Sequence, residues 1–148
     1  MNIPHLAYII ENDFITAVVT ELILRKNLRR GEVQHYVNGQ VAFNKLVAAT
    51  QQNEGVPDLI LLDLDMPVMD GWEFLDALTT LPVAKQICVF ILTSSIHPDD
   101  REKAKQYNVV KGFFSKPLDE SSVAWMQQFI QLAGASTRAK RLYTTQAR

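Results

Sequence analysis

Residues 59–71 read LILLDLDMPVMDG, so four consecutive apolar residues lead directly into closely spaced aspartates and then into a turn with Pro and Gly. A short continuous apolar run of this kind is typical of a strand buried on both faces of a parallel sheet. Strand-length runs of similar character recur along the chain, at Leu6–Ile10, Val33–Val37, Ile87–Leu92 and Val109–Phe114. The sequence therefore predicts five parallel strands.

The segments between these runs carry apolar residues at helical spacing. The predicted buried faces are Ile15, Val18, Val19 and Leu22 in the first helix, Phe43, Leu46, Val47 and Thr50 in the second, Phe74, Leu75 and Leu78 in the third, and Trp125, Met126, Phe129, Ile130 and Ala133 in the fifth. A more polar fourth helix is predicted from Pro98 to Tyr107, and Asp13 and Asp119 are predicted N-caps. Five alternating units of this kind predict an α/β domain, a doubly wound five-stranded parallel sheet with helices on both faces.

The composition is that of a globular protein, since 47% of the 148 residues are apolar and 21% are charged. No apolar run is long enough to span a bilayer and no signal peptide is recognised, so we expect a cytoplasmic protein without membrane association. The single cysteine, Cys88, lies in an apolar run and is expected to be a buried core thiol. All 16 acidic side chains fall within residues 1–120, and this acidic body argues against nucleic acid as the main ligand.

Polar groups follow four of the five predicted strands. They are Glu11-Asn12-Asp13 after the first, Asp63 and Asp65 after the third, Thr93 after the fourth, and Lys116-Pro117 after the fifth. Ligands of open α/β sheets bind at the carboxyl ends of the strands, where these groups meet. Clustered carboxylates favour a hard cation such as Mg²⁺, and a lysine with a hydroxyl suits phosphoryl oxygens. The sequence thus predicts phosphoryl transfer onto a carboxylate, with Asp63 central because its strand is central.

These groups also occur at the intervals of a known family. The motif Asp63-Leu64-Asp65-Met66-Pro67-Val68-Met69-Asp70-Gly71, with the acids, Thr93 and Lys116-Pro117 in register, resembles the phosphoacceptor pattern of response-regulator receiver domains. The resemblance covers roughly residues 4–133 and implies the flavodoxin-like strand order 2-1-3-4-5. Residues 134–148 are expected to form a polar, basic and poorly ordered tail.

The resemblance implies a role for each polar residue. Asp63 would accept a phosphoryl group from a sensor histidine kinase or a histidine phosphotransfer protein, and Thr93 and Lys116 would bind the phosphoryl oxygens. Mg²⁺ would be held by four ligands, from Glu11, Asn12, Asp63 and the backbone carbonyl of Asp65. The protein would then be no enzyme in the ordinary sense, beyond phosphorylating itself and slowly losing the group.

The same resemblance implies a switch. Phe113 matches the aromatic residue whose rotamer follows Thr93, and together they would bias a surface made of the fourth helix, the fifth strand and the fifth helix. An unidentified downstream protein would read this surface, and a homodimer could form through it. The Lys116–Pro117 peptide is expected to be cis. Asp65 and Ser95 are expected to influence the lifetime of the phosphoryl group, because they would lie beside the path of an attacking water.

Three other functions stay open at this point. Asp63-Leu64-Asp65 also resembles the D-x-D motif of haloacid-dehalogenase-type phosphatases, although the order of the other elements differs. A pseudo-receiver that is never phosphorylated is favoured by the neutral Asn12, which stands where most receivers carry an acid. Nucleic-acid binding is the least favoured, since it rests on four basic residues of the tail, Arg138, Lys140, Arg141 and Arg148.

Some individual residues also allow a second interpretation. The metal pair would be Asn12 and Asp13 if the match shifted by one residue, but Glu11 and Asn12 directly follow the apolar run and are preferred. Phe113 could equally be a core residue, because Phe114 is aromatic too. The two tryptophans, Trp72 and Trp125, are predicted to pack in the core. The three histidines, His5, His35 and His97, do not have the spacing of metal ligands, so metal binding by them is not expected.

Overall fold

The fold is described from a computed structural model, which covers residues 6–27, 31–83, 85–94 and 97–135, with side chains as far as residue 128. Five parallel strands form one sheet in the order β2-β1-β3-β4-β5. They are β1 (Leu6–Ile10), β2 (Glu32–Tyr36), β3 (Leu59–Leu62), β4 (Cys88–Thr93) and β5 (Val110–Ser115). The predicted α/β class and strand order are therefore confirmed.

Each strand is followed by a helix: α1 (Phe14–Asn27), α2 (Gly39–Gln52), α3 (Gly71–Leu78), α4 (Pro98–Ala104) and α5 (Glu120–Ala135). Helix starts follow the capping residues in the sequence. Asp70 and Glu73 form a capping box at α3, and the Asp119 carboxylate accepts a hydrogen bond from the Ser122 amide at α5. α4 ends at Ala104, three residues before the predicted end, because its last residues form a turn instead.

Alternating strand residues face two separate cores. One core joins the sheet to α2, α3 and α4, and the other joins it to α1 and α5. The predicted face of α3 is buried, and Cys88 is a buried core thiol whose pKa burial raises to about 11. α2 buries Ala42, Leu46 and Ala49, so its predicted face was off by part of a turn.

The predicted buried face of α1 was wrong. Ile15, Val18, Val19 and Leu22 are exposed, with Ile15 at 68% and Leu22 at 63% exposure. α1 instead buries Ala17, Thr20 and Leu24 against the sheet and α5. The apolar spacing of Ile15, Val18, Val19 and Leu22 therefore marks the outward face of α1 and not the face that packs on the sheet.

Several expectations concern residues at the limits of the described chain. α5 continues to Ala135, so the predicted tail begins slightly too early, and the rest of that tail lies outside the described residues. The predicted α5 contacts of Phe129, Ile130 and Ala133 also fall outside the described side chains. Within the described chain, no helix has the length and apolarity that a membrane crossing requires.

Candidate functional site

Glu11 and Asp63 lie side by side because the sheet aligns the strands that precede them. Ile10 pairs with Leu62, and the Asp63 amide donates to the Ile10 carbonyl over 3.0 Å. The Glu11 amide donates to the Tyr36 carbonyl of β2, also over 3.0 Å. Each residue therefore continues the backbone ladder one step past its strand, which brings two acidic side chains together at the carboxyl edge of the sheet.

Lys116 bridges the two carboxylates. Its Nζ lies 2.6 Å from Glu11 Oε1 and 3.3 Å from Asp63 Oδ2. The other Glu11 oxygen, Oε2, accepts a hydrogen bond from the Asp13 amide over 3.1 Å. Glu11 and Asp63 are both buried, whereas the Lys116 side chain is partly exposed. One ammonium thus compensates two buried carboxylates, which leaves the cluster with net negative charge.

Burial and the neighbouring charges shift the pKa values of Asp63 and Lys116. Burial, together with the nearby charge of Glu11, raises the pKa of Asp63 to about 6, and Lys116 offsets only part of that rise. Burial tends to lower the pKa of Lys116, but its hydrogen bond to Glu11 and the charges of Asp63 and Glu11 outweigh this and raise that pKa. Lys116 therefore stays charged at neutral pH, and Asp63 is mostly ionised there.

The loop after Asp63 is shaped by a close backbone approach at Gly71. A Cβ at this position would lie 2.6 Å from the Asp63 carbonyl oxygen and 2.8 Å from the Leu64 Cα. The Gly71 amide donates to the Leu64 carbonyl over 3.0 Å, which closes the loop. Within it, Val68 has a φ of 71°, a left-handed conformation that β-branched residues rarely adopt. Asp70-Gly71 is thus structural, and it packs against the backbone of Asp63 and Leu64.

Thr93 and Phe113 lie on the next two strands of the sheet, β4 and β5. Thr93 ends β4 and is fully buried, and its carbonyl accepts a hydrogen bond from the Lys116 amide over 2.9 Å. The Lys116–Pro117 peptide is cis, as predicted. Phe113 is 8% exposed and belongs to the core cluster on the α2, α3 and α4 side of the sheet, while Phe114 packs against the other side.

The remaining predicted ligands lie at the surface. Asn12, Asp13 and Asp65 are all exposed. Asp13 serves as the N-cap of α1: its carboxylate accepts the Thr16 hydroxyl over 2.6 Å, and this hydrogen bond lowers its pKa. The shifted metal pair of Asn12 and Asp13 would therefore require Asp13 to leave its cap.

The groups around Asp63 include several that could bind a metal ion. In the part of the chain that the structure describes, no three His, Cys, Asp or Glu side chains are grouped as a metal site. Two buried carboxylates, from Glu11 and Asp63, stand beside the exposed Asn12 amide and the loop that carries the Asp65 carbonyl. All of these groups bind a metal through oxygen, and the two carboxylates give the site a net negative charge. They therefore fit a hard divalent cation if Lys116 releases Glu11.

Two side chains near this site carry contacts that the sequence did not indicate. The His35 Nε2 lies 2.6 Å from the Glu11 carbonyl oxygen, and so connects β2 to the acid-bearing loop. The Arg101 guanidinium of α4 lies over the Phe113 ring, 4.9 Å from its centroid. Neither contact could be predicted from a sequence motif, because each joins residues of different helices, strands or loops. Ser95 and His5 lie outside the described residues.

Comparison with known proteins identifies the type of domain. The chain matches the family model of the response regulator receiver domain over residues 7–126. It is 33% identical over 103 residues to the probable transcriptional regulator ycf29 of Porphyra purpurea, which covers 69% of this chain and 48% of that protein. The chain thus spans about half the length of this relative.

Solved structures agree with this match. A two-component response regulator from Cytophaga hutchinsonii aligns with a TM-score of 0.76 and 28% identity, over 85% of this chain and 96% of that one. The Mn(2+)-bound form of response regulator Rcp1 aligns with a TM-score of 0.66 over 90% of this chain and 96% of that one; at 24% identity it supports the fold alone. These matches do not indicate a haloacid-dehalogenase-type phosphatase.

Proposed function

The chain belongs to the response regulator receiver domain family, and we propose that it accepts a phosphoryl group on Asp63 and thereby switches a protein-docking surface. Receiver domains are signalling modules of two-component systems, and the family implies a histidine kinase or a histidine phosphotransfer protein as the donor. The observation that carries the proposal is the buried ionic cluster of Asp63, Glu11 and Lys116.

Asp63 is the nucleophile in this proposal. One carboxylate oxygen attacks the phosphorus of a phosphohistidine, an O–P bond forms, the N–P bond breaks, and its electron pair returns to the imidazole. The Lys116 ammonium then pairs with a phosphoryl oxygen, and the Thr93 hydroxyl donates to another. Such a transfer depends on positioning and charge compensation more than on acid–base chemistry, which suits a site where a lysine ammonium lies 3.3 Å from the accepting carboxylate.

Divalent cations belong to this chemistry in the family. Glu11, Asp63, the Asn12 amide and the Asp65 carbonyl are the groups that would hold such an ion, and when bound it would supply positive charge to the phosphoryl oxygens. Asn12 brings no charge of its own. We therefore expect Mg²⁺ to bind more weakly here than in receivers with two acids at this position.

The donor must dock beside Asp63, and α1 offers the surface for it. α1 begins directly after Asp13, and its outward face presents large apolar side chains to water: Phe14, Ile15, Val18, Val19 and Leu22. A contiguous exposed apolar face marks an interaction site, and this face adjoins the acid cluster. We assign it to the histidine-bearing donor, because a partner docked on α1 would stand at the edge of the sheet where Glu11 and Asp63 lie.

The docking assignment is tested by comparing two phosphoryl donors. Ile15→Glu is expected to slow transfer from the cognate protein donor by about tenfold or more, while acetyl phosphate labels the variant at nearly the wild-type rate. The donor is sought among the histidine kinases and phosphotransfer proteins of the source organism, tested as a panel. Val41→Glu is the matched control, since Val41 is 43% exposed on α2, across the sheet. Equal transfer to wild type and Ile15→Glu would contradict the assignment.

A pseudo-receiver that docks its partners without phosphorylation is the second candidate. It is favoured by the neutral Asn12 and by the ion pair that Lys116 already makes with Glu11. Under this alternative, calorimetry would detect no Mg²⁺ binding, and acetyl phosphate would not label Asp63. Saturable Mg²⁺ binding together with labelling of Asp63 would exclude it.

A further inference from the structure

α4 is attached to the domain by little apolar surface. Of its seven residues, Pro98–Ala104, Ala104 alone is buried, and five in succession are charged, from Asp99 to Lys103. Burying one alanine removes too little apolar area from water to fix a helix this short, which is unstable by itself. Contacts of another kind must therefore hold α4 in place.

Besides Ala104, Arg101 connects α4 to the sheet. Its guanidinium carbon lies 4.9 Å from the centroid of the Phe113 ring in β5. Arg101 Nη1 is buried and has no hydrogen-bond acceptor among the described residues, so the ring face is the partner on that side. Arg101 as a whole is half-buried, and the part of a cation that is shielded from water is attracted to a ring face more strongly than an exposed one. Arg101 and Phe113 thus hold each other in position.

Lys103 provides an internal comparison on the same helix. Its Nζ lies 4.5 Å from the centroid of the Trp72 ring, which belongs to α3. Lys103 is exposed, so water screens its attraction to the ring. One cation of α4 therefore contacts the sheet, while the other contacts a neighbouring helix.

The Phe113 ring stands close in sequence to the groups that would meet a phosphoryl group. Phe113 and Lys116 are three residues apart, and the Lys116 amide donates to the carbonyl of Thr93, which ends the adjacent strand β4. Movement of Lys116 and Thr93 toward phosphoryl oxygens would displace the end of β5. Because Phe113 belongs to β5, its ring would move with that strand.

We propose that Arg101 is a positioning residue that couples α4 to Phe113, so that the attachment of α4 responds to the phosphoryl state of Asp63. The coupling itself is a property of the unmodified protein, whereas its response to phosphorylation rests on the proposed function. Arg101 acts through the aromatic ring and does not touch the reacting atoms. A change in the Phe113 ring is thereby converted into a change in how firmly α4 is held.

Hydrogen–deuterium exchange of residues 98–104 in the full chain tests the coupling by a double-mutant cycle. Arg101→Met is expected to speed this exchange by about tenfold, and to have no further effect when Phe113→Leu is already present. Arg101→Lys retains the cation and is expected to fall between wild type and Arg101→Met. Lys103→Met is the control, with about a twofold change that Phe113→Leu leaves intact. Unchanged exchange in Arg101→Met, or the same tenfold change in both backgrounds, would overturn the proposal.

The response to phosphorylation is measured on the same peptides after treatment with acetyl phosphate and Mg²⁺, with labelling followed by intact mass. Labelled wild type is expected to show a severalfold change in α4 exchange, and Arg101→Met to lose most of that change. Identical α4 exchange in labelled and unlabelled wild type would overturn the response to phosphorylation. If wild type takes up no phosphoryl group, the proposed function fails, while the double-mutant cycle still decides whether Arg101 acts through Phe113.

Discussion

Replacing Asp63 with asparagine is expected to stabilise the folded protein at neutral pH in metal-free buffer. The native pKa of Asp63 is raised to about 6 from an ordinary value of 3.8, first by burial and then by the charge of Glu11. Between these two values the native state binds more protons than the unfolded state, so wild-type stability falls as the pH rises. Asparagine keeps the size of the side chain and removes the buried charge.

The size of the effect follows from the shift. Each pKa unit corresponds to 1.36 kcal/mol, so a rise to about 6 costs wild type about 3 kcal/mol once Asp63 is fully ionised. Asp63→Asn is expected to recover most of this near pH 7.5 and almost none below about pH 3, where Asp63 is protonated in both the native and the unfolded state. For a domain of this length, the same gain raises the melting temperature by roughly 6–12 °C.

Urea unfolding of wild type and Asp63→Asn across this pH range, with chelator present, provides the measurement. Asp65→Asn is the matched control, since Asp65 is an exposed carboxylate in the same loop and its replacement should change stability by less than about 0.5 kcal/mol. Equal stability of wild type and Asp63→Asn near neutral pH would show that Lys116 fully compensates the burial of Asp63. That result would refute the reasoning.

Three further substitutions test other parts of the site. Val68→Asn is expected to stabilise the protein by about 1 kcal/mol in urea unfolding, because Val68 is 76% exposed and its φ of 71° suits asparagine better; a loss of stability would contradict this. Gly71→Ala is expected to destabilise by about 2 kcal/mol and to slow acetyl phosphate labelling, because its Cβ would meet the Asp63 carbonyl; unchanged unfolding and labelling would argue against that contact. Asn12→Asp is expected to tighten Mg²⁺ binding by about tenfold in calorimetry, since a unit charge at 4 Å is worth roughly 4 kcal/mol before screening. If it has no effect while Asp13→Ala abolishes binding, the metal pair lies one residue later.

The sequence predicted the parts of the structure that depend on strands. The runs at Leu6–Ile10 and Leu59–Leu62 coincide with β1 and β3, because strands buried on both faces must be apolar throughout. The meeting of Glu11, Asp63 and Lys116 followed from one rule, that the carboxyl ends of parallel strands share an edge. The distances between these side chains, and the bridging of both carboxylates by the Lys116 ammonium, could not be predicted, because they depend on side-chain rotamers.

The parts that were missed depend on packing between distant residues. Periodicity shows that α1 has an apolar face, but it does not show which of two faces meets the sheet, so Ile15 and Leu22 were wrongly assigned to the core. The contacts of His35 with Glu11 and of Arg101 with Phe113 join separate elements and leave no pattern along the chain. The exposed apolar face of α1, on which the proposed docking site rests, was therefore not predicted from the sequence.

The central claim, that Asp63 is the phosphoryl acceptor, is tested most directly by intact mass spectrometry after incubation with acetyl phosphate and Mg²⁺. Wild type is expected to gain the mass of one phosphoryl group, and Asp63→Ala to gain none. Asp65→Asn is expected to be labelled, which controls for loss of any acid in this loop. A phosphoryl adduct of equal yield on wild type and Asp63→Ala would contradict the account.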